Sequence, residues 1–372
     1  MSLPHPDKDD FVPVPPRRPL GFYAEQSLLG ALLVDPQQLK NISRIGPESF
    51  ADRHHAALFA AISTLPLPDP AEHAKNTKWL DQVLATGHEQ ARGLTASYLH
   101  NLIQPCLWPA HAPAYARMVE AEHARRRLQT AAERLVQTAH DASLPQPVPT
   151  VLAEADALAA VVDDIAIHFP PRAGMLPRTA APPPAITPDR TEAVEEEQLL
   201  LATATAHPAD IDSVRWLLPE DFTLPLHAGL WQCLTALARR REPVDPVTIL
   251  WEVQQRGLRD EGSEPGEVLR LLAEPVGSLE HWGERTLQRS LLATAHHTGR
   301  RIEAYAGDPA NTPFQLVVGA RRSLADIGAV RTRWQHATAT VPRQRPRPAP
   351  TTRAGPPTTT AARTARAARA PR

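Results

Sequence analysis

The sequence predicts an all-α protein, and three observations carry the prediction. Apolar residues recur at helical spacing, as at His55, Leu58, Phe59, Ile62 and Leu65, which fall at i, i+3, i+4, i+7 and i+10. No segment alternates apolar and polar residues over enough length, with β-branched side chains, to make a strand. The 40 prolines gather at 4–19, 145–149, 170–188 and 342–371 and thin out between those clusters. Proline breaks helix interiors. The clusters therefore mark helical bodies joined and flanked by extended, solvated segments.

A length of 372 residues suits two globular units with linkers. The two cysteines, Cys106 and Cys233, are too few and too far apart for a disulfide framework or a cysteine-rich zinc site, and they suit a reducing cytoplasm. No run approaches the roughly 18 consecutive apolar residues of a membrane span. The opening MSLPHPDKDDFVPVPP lacks the apolar core of a secretory signal. The formal net charge of −1 conceals an asymmetry, because residues 331–372 hold ten arginines and no acid. The rest of the chain is correspondingly acidic.

An internal repeat organises the chain. A shift of 172 residues lays 25–65 on 197–237 without a gap, with 12 of 41 positions identical. Glu25-Gln26 falls on Glu197-Gln198, Pro47-Glu48 on Pro219-Glu220, Phe50 on Phe222, and His55-Ala56 on His227-Ala228. Further on, Tyr115 falls on Trp282 and Pro149 on Pro313. The repeated unit, about 140–150 residues long, is about the right size for an independently folding domain. The expected organisation is a disordered Pro-rich start (1–21), a first copy (22–166), a Pro-rich linker (167–191), a second copy (192–330) and a disordered basic tail (331–372).

Each copy then reads as helices in order. Glu25 and Glu197 open the first helix, where an acid in the first turn complements the helix dipole. The helices rooted at His55 and His227 carry matching apolar stripes. In copy two, Asp245 is an N-cap with Pro246 at the first helical position, and Gly257 stands where a C-terminal glycine belongs. Val247, Leu250, Trp251 and Val253 give that helix its apolar residues. Copy one departs at Pro66–Lys78, where this helix start is lost and Asp69-Pro70 comes early. Long Arg/Glu/Ala-rich helices are expected at 111–139 and 279–306, each followed by a last apolar helix.

These residues, met twice in the same order, resemble the N-terminal domain of DnaB-type replicative DNA helicases with its trailing linker helix. The carriers are the Glu-Gln-x-Leu-Leu opening, the Pro-Glu-x-Phe turn, the His-rooted helix, Pro243-Val-Asp-Pro-Val-Thr-Ile-Leu-Trp and the long helices. The resemblance implies a helical domain that pairs through hairpins, builds a collar on a hexameric ring and docks primase. The family's motor is a separate ATPase domain with a P-loop, G-x-x-x-x-G-K-[ST]. No such motif occurs here, and all four lysines precede residue 79. The implied role is non-catalytic assembly, with replicative helicase, primase or a second collar domain as partner.

No catalytic, cofactor-binding or metal-ligating residue is nominated. His55 and His227 recur, but no second ligand recurs with them at metal-binding spacing. They read as helix-start residues bonded to a neighbouring turn. Tyr115, Trp282 and Trp108 are candidate interface residues. Arg331, Arg333, Arg343, Arg345, Arg347, Arg353, Arg363, Arg366, Arg369 and Arg372 are candidates for non-specific DNA or RNA contact through phosphates. A nucleic-acid-binding accessory factor acting through this tail is the alternative to the assembly role.

Overall fold

Pro19 holds an extended conformation, and α1 (Leu20–Val34) begins directly after it. The chain is described by a computed structural model over residues 18–42, 44–106, 108–171, 174–183, 190–258 and 264–339. Short 3-10 turns at Pro36–Asn41 and Pro47–Ser49 lead to α2 (Arg53–Thr64). The Asp52 carboxylate accepts the amides of His54 and His55 and so caps α2. α3 (Pro70–His73), α4 (Lys78–Gln90) and α5 (Ala96–Ile103) follow, then the long α6 (Ala112–His140) and α7 (Pro147–His168).

The order then repeats. α8 (Arg190–Ala206) and 3-10 turns at Pro208–Val214 and Pro219–Asp221 precede α9 (Pro225–Arg240), α10 (Pro246–Gln255) and α11 (Pro265–Leu271). α12 (Leu279–Gly307) and α13 (Pro313–Thr338) complete the set. Among the described residues there is no strand, and no helix is long and apolar enough to cross a membrane.

Local chemistry fixes several of these boundaries. Asp245 accepts from the amides of Val247 and Thr248, Thr248 Oγ1 accepts the Asp245 amide, and Gly257 takes φ +64° past the helix end. The departure in copy one proves to be an insertion. Asp69 caps the one-turn α3, and the counterpart of α10 starts later, at Lys78. α4 buries Trp79 and Val83 as α10 buries Ile249 and Val253.

The opening acids correct the dipole reading. α1 starts at Leu20, so Glu25 lies in its second turn, and it is 1% exposed. Its Oε2 accepts from His55 Nδ1 (2.7 Å) and its Oε1 from the Ala51 amide (2.7 Å). In copy two, Glu197 Oε2 accepts from His227 Nδ1 (2.6 Å) and Oε1 from the Thr223 amide (2.6 Å). A carboxylate can only accept here, so both imidazoles carry their proton on Nδ1. Buried carboxylates persist only when paired and hydrogen-bonded. Each pair ties the first helix to the turn and helix that follow.

Apolar burial does not divide at the Pro-rich linker. One core runs from Leu28 to Val119. The other joins Ala124, Leu128, Leu135 and the inner face of α7 to copy two. α6, at ~1.5 Å per residue, is long enough to leave its own copy and cover the next. The linker is not wholly solvated either. Arg178 donates its amide to Asn311 Oδ1 (2.8 Å), Thr179 Oγ1 donates to Asp308 Oδ2 (2.6 Å), and Gln315 Nε2 donates to the Leu176 carbonyl (2.8 Å).

Glu25→Ala and Glu197→Ala, each leaving a buried imidazole Nδ1 without its acceptor, should each cost about 3–5 kcal/mol in urea denaturation. Cys233 is fully buried and burial raises its thiol pKa. It should resist a thiol reagent at neutral pH until copy two unfolds, whereas half-buried Cys106 reacts earlier; equal rates would contradict this assignment.

Candidate assembly interface

The two copies meet where α6 crosses α12. Arg125 on α6 donates to the carbonyls of Ala306 (2.9 Å), Asp308 (2.8 Å) and Asn311 (2.7 Å) at the end of α12. Gly299 faces Ala132 and Val136, and His140 meets His296 with ring centroids 5.8 Å apart. Numbers rise on one helix as they fall on the other, so the pair is antiparallel. The offset that lays Trp282 on Tyr115 also lays Gly299 on Ala132. Equivalent residues thus meet at the crossing, as they do across a two-fold axis. A Cβ on Gly299 would lie 2.6 Å from Val136 Cγ2 and 3.1 Å from the Ala132 carbonyl, so only glycine permits this approach.

The last helices extend the contact. α13 returns along α12, with Thr298 Oγ1 donating to the Ser323 carbonyl (3.1 Å) and Arg301 pairing with Asp326 (2.8 Å). Across the copies, Arg321 pairs with Asp163 (2.7 Å) and Arg331 with Asp156 (2.8 Å), both acids being on α7. The result is two helical hairpins packed face to face.

This geometry corrects the expected start of the tail. α13 continues to Thr338, and both arginines nominated before that point are engaged within the fold. Arg331 also donates to the Leu152 carbonyl (3.0 Å). Arg333 grips the fully buried Asp221 carboxylate with both terminal nitrogens and reaches the Trp216 carbonyl. Asp221 further accepts from Ser290 Oγ (2.6 Å) and the Leu218 amide (2.8 Å). A charge count cannot anticipate partners so far away in the chain. Arg343, Arg345, Arg347, Arg353, Arg363, Arg366, Arg369 and Arg372 lie outside the described residues.

The nominated aromatic residues divide. Tyr115 and Trp282 are half-buried against the cores of their own copies, and the Trp282 indole donates to the Val276 carbonyl. Trp108 is 61% exposed and stacks on His111. α10 also faces differently from the expectation. Ile249 and Val253 point inward, which leaves Val247 and Trp251, one turn apart, 66% and 63% exposed. The outward direction of that pair is not legible in the sequence, because its spacing also fits a core stripe.

Gly299→Leu should separate the hairpins without unfolding copy one, seen as an increased radius of gyration in solution scattering; an unchanged profile would refute the crossing. Burial, then His140, Arg300 and His297, lower the His296 pKa, and burial followed by Arg301 lowers that of His297. Neutral imidazoles are favoured in the folded chain, so their contribution is present above about pH 6.5 and lost as pH falls below it. Thermal stability should decline between about pH 6.5 and 5, and His296→Gln should flatten that decline.

A family model described as DnaB-like helicase N terminal domain matches residues 18–121 and again residues 189–283. No similar protein was found among curated proteins or solved structures. The matches fall on the two sets of helices that precede and enter the long hairpins, and no ATPase-domain model matches. Together they span more than half of the 372 residues. The chain therefore belongs to the DnaB-like helicase N-terminal domain family, associated with DNA replication, and carries that domain as two tandem copies.

Proposed function

We propose that this chain is a non-catalytic assembly protein of DNA replication in the cytoplasm. Its two collar-type domains, taken as residues 22–166 and 192–330, form a ready-made pair that docks onto a replicative helicase collar or its primase. The meeting of equivalent residues Ala132 and Gly299 supports this reading most directly. A tethered pair has an effective concentration around millimolar, so it forms without a second chain. The outward Val247 and Trp251 supply apolar surface for a partner at little cost in stability.

Pull-down with the helicase and primase of the same cell tests the proposal. At least one should be retained, and Trp251→Ala should weaken retention by roughly tenfold while leaving the melting temperature unchanged. Retention of neither protein would overturn the reading. The purified chain should hydrolyse no ATP.

The eight arginines of 343–372, with no acid among them, favour a second activity. Their charge attracts phosphates without reading bases. Removing 340–372 should abolish DNA retention at about 50 mM salt. In the full chain, binding should weaken steeply, by ~10³-fold or more if most arginines reach phosphates, between about 50 and 200 mM salt. Unchanged retention after the deletion would exclude the tail as the nucleic-acid contact.

A further inference from the structure

The duplication supplies an internal comparison, because one face is apolar in copy one and charged in copy two. Along α6, His111, Tyr115, Met118 and Glu122 recur at i, i+4, i+7 and i+11 and so share a stripe. Trp108 stacks on His111 (centroids 5.9 Å apart), His111 meets Tyr115 edge-on (6.2 Å), and Met118 is 52% exposed. The stripe borders α1, since Gly21 lies against the Glu122 side chain, and α1 adds Leu20 and Tyr23, both exposed. The offset that lays Trp282 on Tyr115 puts Ser278, Arg285 and Arg289 at the positions of His111, Met118 and Glu122. The shift of 172 puts Glu192 and Glu195 at those of Leu20 and Tyr23. In copy two Arg285 and Arg289 pair with Glu192 and Glu196. Ion pairs thus close this face in copy two, whereas copy one leaves an aromatic and aliphatic strip.

We infer that this strip receives the chain's own Phe11-Val-Pro-Val-Pro-Pro segment, residues 11–16, laid along it as an extended strap. Arg18 is the first described residue and stands beside the Gly21–Glu122 end of the strip, so the preceding residues emerge where the strip begins. Only Arg17, Arg18 and Pro19 separate the segment from Leu20, and a reversal there lays it back along α6 toward Trp108. The lengths match. From His111 to Glu122 the stripe runs ~16 Å, and six residues in a polyproline conformation span about 19 Å. Three prolines in six bias the segment to that conformation, which aromatic-lined surfaces bind at low ordering cost. Phe11, Val12 and Val14 add apolar side chains for Tyr115 and Met118. The chain uses the same chemistry elsewhere, where Pro177 of the second Pro-rich segment packs at the junction of Tyr305 and Gly319. The ion-paired face of copy two offers such a segment neither ring nor thioether.

Fluorine NMR on the full chain, grown with fluorotryptophan, tests the inference, with the Trp108 signal assigned through Trp108→Phe. Phe11→Ser combined with Val12→Ser and Val14→Ser should shift the Trp108 signal toward that of free tryptophan. The signal of Trp251, exposed on copy two, should stay in place. A peptide of residues 1–17, at about 1 mM to match the tethered concentration, should restore the Trp108 signal in that variant. Met118→Asp, at an exposed position, should block the restoration without lowering the melting temperature. A Trp108 signal that ignores the triple substitution, or that the peptide fails to restore, overturns the inference. So does concentration-dependent association in sedimentation velocity that Met118→Asp abolishes and the triple substitution leaves unchanged, because the strip would then belong to a second copy. The readout lies within one chain, so this inference and the proposed function, which is read by helicase or primase capture, can fail separately.

Discussion

Each copy is held at its root by a carboxylate that water cannot reach. Glu25 and Glu197 sit on the inner faces of α1 and α8, and each spends one oxygen on a backbone amide and the other on a histidine. Such a group is tolerated only if both demands are met together. The first helix, the Pro-Glu-x-Phe turn and the first turn of α2 or α9 must therefore close around it as one unit. The leucines of α1 and α8 face the core because this closure sets the rotation of the helix.

From that root the two copies diverge in what they leave uncovered. Copy one packs Phe22 and Tyr98 against its histidine, whereas in copy two the equally buried His227 borders a groove lined by Gln198, Glu267 and Arg270. Copy one also inserts α3 before the helix that copy two starts at Pro246, so the outward Val247 and Trp251 belong to copy two alone. Duplication kept the scaffold and freed the surfaces to differ.

Pairing of the copies follows from helix length and one missing side chain. α6 and α12 outrun their own domains, and their far halves carry apolar residues that only another hairpin can bury. Gly299 lets the backbones approach, Arg125 satisfies three carbonyls at the α12 end, and the linker's Arg178 and Thr179 bond the adjacent corner. The negative excess of the body is partly consumed here, since Asp156, Asp163 and Asp221 each hold an arginine of α13.

The sequence by itself determined the all-α class, the duplication, the family and many boundaries. The helices expected at 111–139 and 279–306 run over Ala112–His140 and Leu279–Gly307. Asp245, Pro246 and Gly257 could be placed because caps and glycine turns act within a few residues. Only the tertiary structure decided that Glu25 is a buried partner of His55, that Arg331 and Arg333 belong to the body, and that α6 completes the core of the other copy. Each of these depends on a partner at least 26 residues away, often more than a hundred. Leu128 and Leu135 read the same whichever copy they face, because burial is non-directional and periodicity records only that a face is buried, not against what.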